Sequence, residues 1–436
     1  MASLRALVLP VLCAASGCVA IVEDLPPAPL PATTDDAGSS SVNDAGAPDA
    51  GGTDAGTMTN PMPDAGSDAG STTPDAGSSD RIPIFVAQGM VGRTTISCDD
   101  GRTWVANRSW DEEGDALICG QTTPIVCDVG ACSARWYDNT CSSEARCDCG
   151  HSPGFSKGVA YDGQRFVATW GWGYPGSVRH STDGVTWTRS LEGQAGFGGI
   201  VWANGKFVTG DREPKVSPDG LSWSAGGPAN FSGPNEPTIW SVRRMGFATY
   251  RGEGSVVAIA SGNTDLDVLI SSNQGATWWR PSVLPAGCGD GVGAYGDIVG
   301  GNDVIVMVGY DRVVCRSTDG GDTWTKLTLA DDIYSSGVWT GSEFWFWSST
   351  SRWSSTDGLT WRSTNTTPAT RLGPVARGPN GTLVAVGNVW EGYADQSLYR
   401  STDGISWQEL PGTAFTKSHP LFFLAWGLAE RSSVCP

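Results

Sequence analysis

The chain has 436 residues, among them 59 Gly, 26 Pro, 20 Trp and 12 Cys, and a formal net charge of −18. Lys and Arg total 28 against 46 Asp and Glu, which excludes binding to nucleic acid or anionic lipid by charge. Only 17% of residues are charged and no heptad pattern is sustained, so a coiled coil is excluded. Regular turn signals among the Gly and Trp point to an all-β repeat protein.

Residues 1–17 have the pattern of a signal peptide. Arg5 precedes an apolar stretch from Ala6 to Ala15, too short for a permanent membrane span but suited to export. Ala15-Ser16-Gly17-Cys18 resembles the lipobox of bacterial lipoproteins, differing at Ala15, where that family usually carries Leu. The resemblance implies lipidation of Cys18 and a lipid-anchored place in the bacterial cell envelope or on its outer surface. An ordinary signal cleaved nearby, giving a freely secreted protein, is the alternative. No later apolar run is long enough for a transmembrane helix, so membrane contact is expected through the lipid anchor only.

Residues 18–80 read as a disordered tether. Between residues 19 and 80 there are 11 acidic residues, no Lys or Arg and no aromatic, and Asp-Ala-Gly recurs at Asp36, Asp44, Asp49, Asp54, Asp64, Asp68 and Asp75. Such a segment buries too little apolar area to offset the entropy of ordering, and its charges repel one another. Calcium binding is the alternative use of the Asp-Gly steps, but their spacing is irregular. Residues 81–436 hold 35 acidic against 27 basic residues, a net of −8.

Seven copies of one motif follow: Ser97-Cys-Asp99-Asp-Gly101-Arg-Thr103-Trp104, then repeats starting at Ser181, Ser217, Ser271, Ser317, Ser355 and Ser401. Their acidic positions are Asp99, Asp183, Asp219, Asn273, Asp319, Asp357 and Asp403, the fourth being an amide. Four copies are one residue shorter. Asp-Gly between two extended runs is a hairpin signal, and the Trp supplies a large apolar surface for a neighbouring sheet. The motif resembles the Asp-box, or BNR repeat, of sialidases, other glycoside hydrolases and non-enzymatic β-propellers. The resemblance implies a structural role for these aspartates, on the face away from the active site.

Around each motif the chain repeats strand A, tight turn, strand B, loop, strand C, motif turn, strand D, as in Ile200-Val-Trp-Ala-Asn-Gly followed by Lys206-Phe-Val-Thr-Gly210. The fold expected over residues 81–436 is therefore an all-β, seven-bladed β-propeller of four-stranded antiparallel blades. Blade one lacks its own strand A, and the run Pro420–Gly427 is expected to supply it beside Ile84–Gln88, closing the ring and removing an exposed edge. A Cys-rich insertion over residues 105–156 is expected after blade one. Ten cysteines beyond the signal argue for disulfides in an exported chain. Cys288–Cys315 and Cys98–Cys435 are the expected pairs. Cys147-Asp-Cys149 with His151 leaves a metal reading open, but no metal or other cofactor is expected.

In such blades the A–B and C–D turns share one face and the B–C loops lie on the other. The B–C loops carry Trp172 and Tyr174; Asp211, Arg212 and Glu213; Tyr310, Asp311 and Arg312; and Trp390, Glu391, Tyr393 and Asp395. Aromatics mixed with carboxylates and Arg suit a glycan or a polar protein ligand, although such loops also serve as solvated rims. Arg81-Ile82-Pro83 echoes the Arg-Ile-Pro element of sialidases, but the rest of that family's catalytic set is not recognisable. The expected function is a monomeric, surface-anchored propeller binding a glycan or protein partner. The alternative is a sialidase-like glycoside hydrolase or polysaccharide lyase, with its catalytic residues unassigned.

Overall fold

The structure, a computed structural model, describes residues 81–89, 92–108, 155–171, 176–193, 197–203, 205–210, 213–227, 241–250, 253–261, 266–288, 297–309, 312–333, 335–387, 397–410 and 421–436. It is a β-propeller whose strands form seven antiparallel sheets. The first sheet holds β1 (Arg81–Gly89), β2 (Thr94–Ser97) and β3 (Val105–Arg108). The second comprises β4 (Phe155–Tyr161), β5 (Phe166–Gly171), β6 (Gly176–Ser181) and β7 (Thr188–Gly193). The third has β8 (Ile200–Ala203), β9 (Lys206–Gly210), β10 (Pro214–Ser217) and β11 (Ser224–Ala225).

The fourth has β12 (Ser241–Tyr250), β13 (Glu253–Ser261) and β14 (Leu266–Ser271). The fifth runs β15 (Asp297–Gly301), β16 (Val304–Val308), β17 (Val313–Ser317) and β18 (Thr325–Thr328). The sixth runs β19 (Val338–Trp339), β20 (Phe344–Trp347), β21 (Ser351–Ser355) and β22 (Arg362–Asn365). The seventh runs β23 (Leu372–Arg377), β24 (Leu383–Gly387), β25 (Leu398–Ser401) and β26 (Gln408–Glu409), and the last strand is β27 (Leu421–Glu430).

β27 returns to the first sheet, giving the order β27-β1-β2-β3. It pairs antiparallel along the whole of β1, from Arg81 opposite Glu430 to Gly89 opposite Leu421. The ring is thereby fastened between strands more than three hundred residues apart. The inner strands β27, β4, β8, β12, β15, β19 and β23 each touch the next, and β23 touches β27.

Seven four-stranded blades were expected, and six are present; the fourth sheet has three strands. Proline explains the difference. Ile270 and Trp279 exchange both backbone hydrogen bonds, at 2.8 and 2.9 Å. The next pair of that kind would be Val268 with Pro281, and proline has no N–H to give. The outer strand ends as a single bridge. The chain instead lays Val283 parallel to Thr323 of the fifth sheet.

The boundaries of the expected insertion also shift, because Val105–Arg108 is the outer strand of the first sheet and Phe155 already begins β4. The cysteines from Cys119 to Cys149 lie outside the described residues. Among the described residues two disulfides are present: Cys288–Cys315, with S–S 2.01 Å, and Cys98–Cys435, with Cα atoms 5.8 Å apart.

Burial follows position in the blade. Second strands such as β5, β16 and β24 are buried at every residue, because a neighbouring sheet covers each face and nothing selects for alternation. The outer strand β22, by contrast, is exposed throughout. Seven apolar clusters fill the joints between successive sheets, and each takes in the motif Trp of the later sheet, as with Trp187 against Ile84, Val86 and Ile96.

Candidate functional site

The seven motif turns share one hydrogen-bond design. In every one the Ser hydroxyl donates to the Asp or Asn Oδ1, at 2.8–3.1 Å. The same Ser oxygen accepts the N–H of the motif Gly at 2.8–2.9 Å. Oδ1 also accepts the backbone N–H of the following Thr or Ser, at 2.7–2.9 Å. In six turns the Trp indole donates to the Gly carbonyl. The exception is Trp104, whose buried Nε1 has no partner.

The acidities follow from this geometry. Burial pushes the Asp357 carboxyl up, but the N–H groups of Thr360 and Leu359 and the Ser355 hydroxyl outweigh it and hold it at about 2. The same balance lowers Asp99, Asp319 and Asp403. For Asp219 the Ser222 N–H is the largest influence, again downward. A carboxylate held this way is ionised, oriented inward and spent on its own turn, which suits structure rather than acid–base chemistry.

The motif Gly seats each turn against the preceding sheet. Gly184 has φ +74°, and a Cβ there would lie 2.6 Å from Ile84 Cδ1. No other residue combines that backbone angle with so little room. Three joints add an arginine: Arg316 reaches the Asp357 carbonyl, Arg352 the Asp403 carbonyl at 2.6 Å and Arg400 the Asp100 carbonyl at 2.8 Å.

Arg81 belongs to this face too. Its guanidinium donates to the carbonyls of Gly163 at 3.0 Å and Gln164 at 2.5 Å, in the first turn of the second sheet, and lies 4.0 Å from Glu430. Nearby, Glu430 accepts from the Thr182 hydroxyl in the second motif turn. The sequence echo at Arg81-Ile82-Pro83 thus marks a brace between two sheets, with its donors committed to main chain.

On the opposite face, Glu213 precedes β10 and pairs with Lys215 at 3.4 Å. Arg312, in the hairpin between β16 and β17, has φ +70°. It lies 3.3 Å from Asp332 and donates to the Ala330 carbonyl. The Arg312 pair is about half exposed and the Glu213 pair partly exposed, so each exchanges cheaply for another partner. Trp172, Tyr174, Asp211, Arg212, Tyr310, Asp311, Trp390, Glu391, Tyr393 and Asp395 lie outside the described residues. Among the described residues no group of three or more His, Cys, Asp or Glu side chains could hold a metal ion.

No family model matches this chain. No curated protein matches it either. Solved structures of similar course include YCF48 from Cyanidioschyzon merolae, at 16% identity and a TM-score of 0.39, covering 61% of this chain and 87% of that one. A GH74 enzyme from Niastella koreensis is similar at 16% identity and a TM-score of 0.35, over 76% of this chain and 54% of that one. A gluconolactonase from Xanthomonas campestris is similar at 12% identity and 0.37, over 53% and 82%.

The reach of the motif arginines to a neighbouring turn, found here, was not read from the sequence. The position before the motif Ser varies among Ile96, His180, Val216, Ile270, Arg316, Ser354 and Arg400, so no recurrent residue type announced it.

Proposed function

We propose that this chain is an exported, lipid-anchored propeller that binds a glycan or protein ligand on the face opposite the motif turns. The observation that carries the reading is the self-consumption of the motif face: all seven Asp or Asn side chains accept from their own turns. Recognition needs groups that can trade partners. The B–C hairpins offer them, with the exchangeable Glu213 and Arg312 pairs and the aromatic residues that the sequence places in the same loops.

Binding of the mature chain to a glycan array and to surface protein extracts tests the reading. Trp172→Ala, Arg312→Ala and Trp390→Ala should each weaken binding about tenfold, a typical loss for an aromatic or Arg anchor, while Asp357→Asn leaves it unchanged. A ligand lost equally through Asp357→Asn, or no ligand at all, would refute it. Labelling with a radioactive fatty acid should mark the wild type and spare Cys18→Ala.

A further inference from the structure

One joint carries a histidine at a position where two others carry an arginine. In the fifth sheet, Arg316 sits opposite Val306 and directly before the motif Ser. Its Nε donates to the carbonyl of Asp357 in the next motif turn, and a Cβ on Gly358 would meet Val306 and Arg316 together. In the seventh sheet, Arg400 sits opposite Val384 and reaches the Asp100 carbonyl, with Gly101 against the same two side chains. In the second sheet the corresponding residue is His180, opposite Val167, and the glycine that packs on Val167 is Gly220, beside Asp219. Imidazole stands where those two joints hold a guanidinium.

The histidine makes no equivalent bond. Its Nδ1 is buried without a partner. The ionisable groups acting on it are Arg165, from the turn before β5, and Asp219, from the third motif turn. Arg165 in turn lies 4.0 Å from Asp162 and also acts on Asp219. On the other side β7 places uncharged Thr188 opposite, and the next residue, Arg189, is paired with Glu192 at 2.6 Å. A cationic imidazole would add a second positive charge beside Arg165 at a half-buried site whose Nδ1 is shut off from water.

We propose that His180 makes the joint between the second and third sheets an acid-sensitive hinge, in which protonation of the imidazole loosens the third motif turn from the second sheet. Burial first, and the Arg165 charge second, hold the imidazole below its ordinary value, against Asp219. A base whose folded value is depressed gives stability that is complete above the ordinary value of about 6.5 and is lost as pH falls below it. The loss is local, because the joints closed by Arg316 and Arg400 carry groups that stay charged across that range.

Amide hydrogen exchange on the full mature chain provides the test, with the turns at Asp357 and Asp403 as references within each sample. Between pH 7.5 and pH 5, protection over residues 214–225 should fall at least about threefold relative to those references. His180→Gln and His180→Arg should both abolish that pH dependence. An equal acid response in either variant, or a flat wild type, overturns the proposal. Titration of the histidine proton resonances of the wild type gives a check independent of any variant, since the chain has only 3 His. A His180 midpoint below about 6.5 is expected, and one at or above it overturns the hinge.

Discussion

Arg400 closes the ring by gripping Asp100 twice, through the backbone carbonyl at 2.8 Å and through the carboxylate. Asn380 and the Thr382 hydroxyl converge on the same carboxylate, at 3.0 and 2.8 Å. Burial opposes ionisation of Asp100, but Asn380 and Arg400 outweigh it and hold its carboxyl below the usual carboxylate range. Arg400→Ala should lower stability by about 1–3 kcal/mol, the range for hydrogen bonds to charged groups. Arg400→Lys should recover little of it, since a point charge cannot serve two directed acceptors. Urea midpoints compared at constant slope measure both.

Gly184 and Gly163 separate two costs. Both have positive φ, +74° and +96°, but only Gly184 has Ile84 and Val86 against the place of a Cβ, while Gly163 has nothing within 4 Å. Gly163→Ala should cost about 1–2 kcal/mol, the backbone penalty alone. Gly184→Ala should cost about 1–3 kcal/mol more, from overpacking the first joint. Thermal unfolding of the two variants reads the difference directly.

The Cys98–Cys435 bond ties the first motif turn to the segment after β27 over 337 residues. Replacing both cysteines with Ala should lower stability by about 2–5 kcal/mol and expose Arg431 to trypsin before Arg400 in β25. If cleavage order is unchanged, the bond does not secure the last strand.

Asp357→Ala should cost about 1 kcal/mol at neutral pH, by analogy with other side chains that cap orphan backbone N–H groups. The sign of its pH dependence follows from a depressed carboxyl: its contribution is present above the ordinary Asp value of about 3.9 and is lost as pH falls through about 2. The wild type and variant should therefore differ by a constant amount above pH 4 and converge toward pH 2. Asp357→Asn should behave almost as wild type, because Asn273 fills the same role in the fourth turn, accepting from Thr277 N–H at 2.8 Å.

Much of the scaffold is legible in the residue string because turn chemistry is local. Each Ser–Asp–Gly–Trp repeat specifies its own hairpin, and the unpartnered apolar run Pro420–Gly427 has an obvious vacancy beside β1. The fourth sheet departs from expectation because the repeat at Ser271 promises a full outer strand, while Pro281, ten residues later, has no N–H for the ladder that strand would join. The extent of the insertion was misjudged for a related reason, since Val105–Arg108 carries only four strand residues before the composition changes. The candidate ligand face was the least legible part. Hairpins between second and third strands share no repeated residue, so their chemistry has to be read one loop at a time. Arg81 shows how a short echo misleads, its three letters echoing the Arg-Ile-Pro element of sialidases while its guanidinium serves two carbonyls.

The pairing of β27 with β1 has a consequence for biogenesis. A chain emerging amino-terminus first presents Arg81–Gly89 early, yet the strand that shields its inner edge arrives some three hundred residues later. Until then that edge offers free backbone groups to any extended peptide nearby. The molecule therefore completes its circle in one late step, once Leu421–Glu430 has been delivered.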